Sequence, residues 1–172
     1  MAVCSIRAYQ PDDAQALWEA ARESVGEVFP WSPWCHAQYS LADAAEWIRT
    51  RAPLAAKGLE YTFAIVGGDG RFLGESHINQ INGSHRFGNM GYWVRTSATR
   101  CGVATEAVRQ LAAFAFRKTE LVRLEIVCAV ANEASQRVAE RAGAVREGVL
   151  RHRLHLHGRP VDAVMYSLVR GA

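Results

Sequence analysis

A short loop ahead of an amphipathic segment is the part of the sequence best suited to bind a ligand. It comprises Arg100, Cys101, Gly102, Val103, Ala104 and Thr105, and a helix is predicted over Val103–Arg117. Glycine allows backbone conformations that turn N–H groups inward, and the first N–H groups of a helix have no internal partner. Together with the helix dipole, this arrangement favours an anion such as a phosphate, although any strand–helix turn can contain glycine.

The chain lacks the glycine patterns of the common nucleotide sites. Neither GxxxxGK[ST] nor GxGxxG occurs in it. Nucleoside triphosphate and dinucleotide folds therefore lose support, which leaves other pyrophosphate ligands.

A second segment has the pattern of a capped helix with a hydroxyl group in its first turn. The helix is predicted over Glu133–Ala142, with Asn132 as its N-cap and Gly143 as its stop. Ser135 follows the cap by three residues. On its own, this pattern is fully explained by helix capping.

Alternating strand and helix patterns predict how these segments are positioned. Strands are expected over Val3–Ala8, Tyr61–Val66, Arg71–Ile81, Phe87–Arg95, Arg123–Val130, Val145–Leu156 and Val161–Leu168. Two further helices are expected, one ending near Ser24 and one over Leu41–Lys57 that Pro53 must kink or interrupt. The sequence thus predicts a single α/β domain over residues 1–172, with a mixed, mostly antiparallel sheet of about seven strands and about four helices.

Composition narrows the classes of function. The 172 residues are 49% hydrophobic and 22% charged, which is typical of a globular protein. A net charge of +3 is too small to indicate a nucleic-acid partner. The four scattered cysteines predict neither a disulfide framework nor a metal site, and the longest apolar run, Leu111–Phe116, is too short for a membrane span. We expect a cytoplasmic protein with no membrane partner.

Taken together, the loop and the capped helix resemble the GNAT superfamily of acyl-CoA-dependent N-acyltransferases. That family has [QR]-x-x-G-x-[GA] after a strand and N-x-x-S about thirty residues later, and here Gly102 and Ala104 fill the last two loop positions. The motifs PWSP at 30–33, GYWV at 91–94 and ATEA at 104–107 are similar to one branch, the ribosomal-protein N-terminal alanine and serine acetyltransferases. The ending G-x-x-x-D-x-x-x-Y-S-L at 158–168 fits the same branch.

The resemblance implies acetyl-CoA as co-substrate, held where two parallel strands splay apart, and no metal. Its pyrophosphate would meet the amides of Arg100–Thr105. The pantetheine would lie along Trp93, Val94 and Arg95 and would bond to Asn132. Ser135 would protonate the leaving thiolate or hold it through water, and a backbone N–H near Trp93 or Val94 would stabilise the oxyanion.

The acceptor and its base are less defined. The branch often has Glu where Asn89 stands, so no base is assigned at that position. Glu75 and His77 share one face of a predicted strand and are either water-mediated bases or ordinary exposed residues. The reference pKa of an N-terminal α-amine is near 7.7–8, whereas that of lysine is about 10.4. An α-amine can therefore be deprotonated by a weaker base than a lysine needs. We therefore expect a protein or peptide N-terminus as the acceptor.

Alternatives remain open at this stage. A small amine, such as a polyamine or an aminoglycoside, is the nearest rival acceptor, and a non-catalytic acyl-CoA-binding module is the rival from another class. Trp31 and Trp34 either line an acceptor cleft or pack on the first two helices. The Arg- and His-rich strand around residues 151–157 is a poor metal site and faces either an acidic substrate or solvent. A homodimer is also left open.

Overall fold

Seven strands and five α-helices make up the part of the chain that the computed structural model describes, residues 4–171. The strands are β1 (Cys4–Ala8), β2 (Tyr61–Gly67), β3 (Phe72–Asn82), β4 (Phe87–Val94), β5 (Arg123–Ala129), β6 (Val145–Leu156) and β7 (Arg159–Val169). The helices are α1 (Asp13–Glu23), α2 (Val25–Val28), α3 (Leu41–Ala56), α4 (Val103–Lys118) and α5 (Glu133–Ala142).

The strands form one mixed sheet in the order β1-β2-β3-β4-β5-β7-β6. Every neighbouring pair is antiparallel except β4 and β5, which run parallel because α4 crosses over between them. The predicted fold class, a mixed and mostly antiparallel sheet with helices, is confirmed.

Hydrophobic clusters cover both faces of the sheet. On one face, α4 and α5 pack on the sheet through buried residues such as Leu111, Ala139 and Ile126. On the other face, α1 and α3 pack against β2, β3 and β4, with Leu17 and Ile48 among the buried contacts. Because side chains alternate along a strand, neighbouring residues of β4 face different cores, and this alternation separates two sets of functional side chains.

The structure differs from the sequence prediction in a few local details. A four-residue helix, α2, precedes the two prolines of the aromatic stretch, and α3 continues through Pro53 to Ala56 without interruption. Pro53 lies in the last turn of α3, so its missing N–H removes only one hydrogen bond near the helix end. Val3, predicted to begin the first strand, lies outside the described residues. Among residues 4–171, no helix has the length and hydropathy that a membrane crossing requires.

Candidate active site

The two parallel strands at the centre of the sheet separate soon after they begin. Their paired residues are Phe87 with Arg123, Gly88 with Leu124 and Asn89 with Glu125, and the pairing in the described chain ends there. The facing edges of the later residues therefore border a gap instead of a hydrogen-bonded ladder. A cleft of about 1350 Å³ passes through this gap and is lined by residues from both faces of the sheet.

One edge of this gap presents backbone N–H groups of β4. The backbone N–H of Arg95 donates to the Leu73 carbonyl oxygen at 2.8 Å, so these two residues continue the hydrogen-bonded ladder of β3 and β4. Ladder bonds alternate along an antiparallel pair, so the N–H groups of Val94 and Tyr92 point away from β3 and toward the gap. Val94 therefore offers a free amide inside the cleft.

The loop before α4 forms a second set of free N–H groups. Arg100 has a φ of 61° and Gly102 a φ of 80°, so both lie in the left-handed region. Gly102 is the N-cap of α4 and supplies no capping side chain. Within residues 4–171, the N–H groups from Arg100 to Thr105 have no hydrogen-bond acceptor, and a Cβ built on Gly102 would meet no atom within 4 Å. This loop is an open cradle suited to an anion.

Most of the residues that the sequence assigned to acetyl-CoA line this cleft, with two exceptions. Trp93, Val94, Arg100, Gly102, Val103, Ala104, Thr105 and Asn132 all line it. The side chain of Arg95 turns away, where it pairs with Glu23 and donates to the Phe72 carbonyl. Cys101 is exposed and also lies outside the cleft lining.

Ser135 lies where the gap meets the first turn of α5. Its backbone N–H donates to Asn132 Oδ1 at 3.1 Å, which caps the helix and leaves the hydroxyl free for other contacts. Tyr92 Oη lies 3.0 Å from Ser135 Oγ and 3.0 Å from the Ser135 carbonyl oxygen. Burial raises the pKa of Tyr92 well above its ordinary value, so the phenol stays protonated at neutral pH. The two hydroxyls are within hydrogen-bond distance of each other.

Glu75 lies on the opposite face of the sheet, at the other end of the cleft. It is only 4% exposed. Its Oε2 accepts hydrogen bonds from Tyr9 Oη and from Trp47 Nε1, both at 2.7 Å, and its Oε1 lies 3.2 Å from His77 Nδ1. Burial and the nearby Glu75 carboxylate raise the pKa of Tyr9 well above its usual range, so Tyr9 remains a donor. Donors thus surround this buried carboxylate.

The imidazole of His77 lies against the backbone of β4. His77 is paired with Gly91 across the β3–β4 ladder, and a Cβ on Gly91 would lie only 2.3 Å from His77 Nε2. Glycine at position 91 is therefore required for this placement of the ring. Nδ1 is directed at Glu75, whereas Nε2 lies beside Gly91 and has no hydrogen-bond partner among residues 4–171.

Aromatic side chains form much of the wall around Glu75 and His77. Trp31, Trp34, Tyr39, Trp47 and Trp93 all line the cleft. The ring of Trp34 lies edge-on to the rings of Trp93 and Tyr39, with centroid distances of 5.4 and 5.2 Å. Trp34 therefore packs against these two rings and also lines the cleft. Leu154 and Leu156 from β6 complete this wall.

The tip of the β6–β7 hairpin secures this wall from outside. His157 Nε2–H donates to the carbonyls of Phe29 and Pro30, at 3.0 and 3.3 Å, and its ring packs on Phe29. The basic side chains of the same strand do not line the cleft, so the expectation that they face a bound acidic substrate has no support there. No group of three or more potential metal ligands occurs within residues 4–171.

Charge is divided between the two ends of the cleft. Arg100, Arg137 and Arg141 line the end beside α4 and α5. Glu27, Asp43, Glu46 and Glu60 line the end beside α3. The first end suits an anionic ligand. At the second end Glu46 pairs with Arg49 and Glu60 with Arg51, so the negative charge left for a cationic ligand is that of Glu27 and Asp43.

The sequence interpretation missed three site residues: Tyr9, Trp47 and Tyr92. Tyr9 and Trp47 lie 66 and 28 positions before Glu75, and nothing local links them to it. Tyr92 belongs to the GYWV motif. The sequence gives one sign that it acts apart from Trp93: side chains alternate along a strand, so the two residues lie on opposite faces of the sheet.

Comparison with known proteins gives a consistent result. Residues 5–145 match the family model described as Acetyltransferase (GNAT) domain. YdaF of Bacillus subtilis (strain 168), which is named for ribosomal N-acetyltransferase activity, is 31% identical over 171 residues, covering 96% of this chain and 91% of that protein. The ribosomal-protein-serine acetyltransferase of Escherichia coli (strain K12) is 26% identical over 136 residues, covering 79% of this chain and 75% of that protein.

Solved structures show the same architecture. RimJ of Mycobacterium smegmatis, in complex with CoA-disulfide, superposes with a TM-score of 0.90 at 25% identity, covering 98% of this chain and 82% of that one. RimL, a ribosomal L7/L12 alpha-N-protein acetyltransferase in complex with coenzyme A, superposes with a TM-score of 0.89 at 22% identity, and coverage is 97% and 94%. The second likeness is one of fold.

Proposed function

The chain belongs to the GNAT family of acetyltransferases and is an acetyl-CoA-dependent N-acetyltransferase of the ribosomal-protein type, and from this premise we propose that its acceptor is the N-terminal α-amine of a protein or peptide. The observation that carries the proposal is the imidazole of His77, held by the buried Glu75 at the acceptor end of the cleft. By reference pKa values, an imidazole matches an α-amine better than a lysine as a proton acceptor.

The match follows from reference pKa values. Transfer of a proton from an α-ammonium, near 7.7–8, to an ordinary imidazole, near 6.5, is uphill by about 2 kcal/mol. The same transfer from a lysine ammonium, near 10.4, is uphill by about 5 kcal/mol. One imidazole without a metal or a stronger base is therefore sufficient for an N-terminal amine.

The loop and the gap supply the residues that would hold acetyl-CoA. The free N–H groups of Arg100–Thr105 bind pyrophosphate oxygens, and Arg137 and Arg141 add positive charge at the same end. The amide of Val94 points into the gap, where it donates to the thioester oxygen and stabilises negative charge on it. Acetyl-CoA supplies the activated acyl group when bound.

At the acceptor end, His77 Nε2 takes the proton of the amine. Glu75 Oε1 fixes His77 Nδ1 as the protonated nitrogen, so that Nε2 is the acceptor. Tyr9 and Trp47 hold Glu75 in place by donating to its second oxygen. The base is therefore positioned by contacts from three separate elements before any substrate binds.

At the other side of the gap, Ser135 Oγ returns a proton to the leaving thiolate. The serine hydroxyl recovers its proton from solvent in the open cleft, into which the proton of the amine is finally released, and Tyr92 Oη at 3.0 Å holds the serine hydroxyl in place. Because burial raises the pKa of Tyr92, the phenol keeps its own proton and acts as a hydrogen-bonding partner of the serine. Base and acid therefore lie on opposite faces of the sheet, with the gap between them.

An acceptor panel tests the proposal. At pH 7.5, an Ala- or Ser-initiated peptide should be acetylated on its α-amine, whereas an Nα-blocked peptide with one lysine should react at least tenfold more slowly. Spermidine belongs in the panel because the acidic residues beside α3 would also suit a small polyamine. If spermidine reacts faster than every peptide, the acceptor is a small amine. Mass spectrometry of the products identifies the acetylated nitrogen.

A further inference from the structure

The indole N–H of Trp93 has no hydrogen-bond partner in the described part of the chain. Trp93 lines the cleft and is only 8% exposed, and among residues 4–171 no acceptor lies within reach of Nε1, which is covered from solvent. A buried donor without an acceptor costs stability, so such groups are rare unless a ligand satisfies them. Folding alone does not explain why tryptophan stands at this position.

This N–H lies beside the groups that receive the amine. Trp93 is the ladder partner of Glu75, so the two side chains project from the same face of the sheet with Cβ atoms about 5 Å apart. His77 is two residues further along β3 on that face. The acid side of the reaction, Ser135 and Tyr92, lies on the opposite face. The unpaired donor therefore belongs to the acceptor end of the cleft.

The neighbour that can yield to a ligand is Trp34. Its ring packs edge-on against Trp93 at 5.4 Å, and it is 38% exposed in the loop between α2 and α3. A rotation of this exposed side chain leaves the rest of the core in place. An acceptor that enters between Trp34 and β4 reaches the face of the sheet that carries both Trp93 and His77.

We propose that Trp93 Nε1–H donates a hydrogen bond to the carbonyl oxygen of the acceptor's first residue. In an N-terminal residue, the carbonyl carbon is two bonds from the amine nitrogen, so one end of the molecule meets His77 and the other meets the indole. A polyamine or a lysine side chain has no carbonyl at that spacing. Trp93 thereby selects α-amino acyl compounds, an inference that rests on the proposed function and extends it.

A matched pair of acceptors tests this role. Alanine N-methylamide and sec-butylamine share the methyl-substituted carbon that bears the amine, but only the first has a carbonyl. Trp93→Phe, which keeps an aromatic ring, should lower kcat/KM for alanine N-methylamide about tenfold and change it less than twofold for sec-butylamine. For each acceptor, kcat/KM of the variant is divided by that of the wild type, so the difference in pKa between the two amines cancels.

Measuring Tm together with the acceptor preference distinguishes a binding role of Trp93 from a purely structural one. Trp18 Nε1 donates to the Tyr39 carbonyl at 3.2 Å, so Trp18→Phe removes an indole N–H that has a partner. We expect Trp18→Phe to lower Tm and to preserve the ratio between the two acceptors. Trp93→Phe removes no satisfied hydrogen bond, so any fall in its Tm should come from the ring volume lost at a buried position.

The wild-type protein offers a test that needs no variant. Replacing the carbonyl oxygen of alanine N-methylamide by sulfur gives a weaker hydrogen-bond acceptor and should lower kcat/KM severalfold. Equal losses on both acceptors in Trp93→Phe, or an unchanged rate with the thioamide, would overturn the role of Trp93 alone. Absence of turnover with every peptide and with both small acceptors would overturn the proposed function as well.

Discussion

The two ends of the cleft are built from different parts of the chain. The end beside α4 and α5 relies on backbone groups: the free amides of Arg100–Thr105 and the edge of β4 that β5 leaves unpaired. The end beside α3 relies on side chains: Glu75, His77 and an aromatic wall drawn from three segments of the chain. One end is therefore specified by conformation and the other by packing.

This difference decides what a substitution does at each end. A backbone site tolerates changes in side-chain type but fails when its conformation is blocked, since the binding groups belong to every residue. A side-chain site fails when one functional group is removed, even if the backbone is unchanged. Substitutions at the first end should change affinity for acetyl-CoA, and substitutions at the second should change the rate with the acceptor.

The largest effect is expected at Gly102. Gly102→Glu places a side chain and a negative charge in the open space of the anion cradle, where no protein atom lies within 4 Å of the new Cβ. We expect the affinity for acetyl-CoA to fall about thousandfold, or ~4 kcal/mol, because several charge-assisted hydrogen bonds are lost together. Isothermal titration calorimetry on the purified variant measures the change.

Gly102→Ala is the matched control for Gly102→Glu. Both variants carry the strain of a positive φ of 80°, which costs about 1–2 kcal/mol of folding stability, but alanine adds no charge and little volume. Alanine should therefore keep most of the affinity. Unchanged binding of acetyl-CoA by a folded Gly102→Glu variant would mean that the pyrophosphate binds elsewhere.

The next largest effect is expected at His77. His77→Ala removes the proposed base and should lower kcat/KM for an Ala-initiated peptide about hundredfold, while the Kd of acetyl-CoA stays within twofold. The pH profile should change as well: without the imidazole, only the acceptor amine titrates, so the rate levels off near pH 8. Kinetics at subsaturating peptide, measured from pH 6 to 10, give both results.

His85→Ala serves as the control for His77→Ala, since His85 is exposed in the turn between β3 and β4 and lies outside the cleft lining. Its rate and profile should match those of the wild type. A His77→Ala variant that keeps the wild-type profile would assign the proton to another group, and Glu75→Gln would then be the variant to measure.

A smaller effect is expected at Ser135, on the opposite side of the gap. Ser135→Ala should lower kcat by ten- to hundredfold, or ~1.4–2.7 kcal/mol, with little change in acetyl-CoA affinity. The cap of α5 is retained, because Asn132 bonds to the backbone N–H of residue 135 and not to the hydroxyl. Stopped assays of CoA release at saturating substrates measure kcat, and equal turnover by both proteins would remove Ser135 from the mechanism.

The contrast between the two ends also explains how much could be predicted. Helix α5 was predicted with the bounds that the structure shows, Glu133–Ala142, because a local cap and a local glycine define them. The loop before α4 was recognisable for the same reason. Its function depends on a glycine and on a helix start, and both are visible within a few residues of sequence.

The acceptor end could be predicted only in fragments. Glu75 and His77 were candidates, but the alternative that both are exposed strand residues was wrong for Glu75, which is 4% exposed. Its partner Tyr9 directly follows β1 and its partner Trp47 belongs to α3. Only tertiary packing brings these two residues to Glu75. The contact of His157 with the carbonyl of Phe29 spans 128 positions, and no periodicity in the sequence encodes it.

The smallest effect is expected at Glu23, which contacts the segment leading to the loop before α4 from outside the cleft. Glu23, at the end of α1, accepts from Arg95 and from the Ser97 N–H at 2.6 Å, and the Arg95 hydrogen bond is the main cause that lowers the pKa of Glu23 to about 2. A carboxylate with a lowered pKa in the folded state stabilises it above pH 5, and the contribution is lost as pH falls from about 5 to 2. Solvent screening reduces the effect of this partly exposed pair to about 1 kcal/mol, so Glu23→Gln should lower Tm by about 2–4 °C at pH 7.

The difference between Glu23→Gln and the wild type should shrink as pH falls and nearly vanish at pH 2.5. Glu19→Gln is the control, because exposed Glu19 accepts only from Gln15 and should leave Tm unchanged at every pH. Acetyl-CoA affinity should change less than threefold, since the amides of the cradle do not depend on this carboxylate. Thermal scans from pH 7 to 2.5, with calorimetry at pH 7, separate the two quantities. A tenfold loss of affinity in Glu23→Gln would show that the cradle depends on side-chain packing, and the contrast between the two ends of the cleft would then not hold.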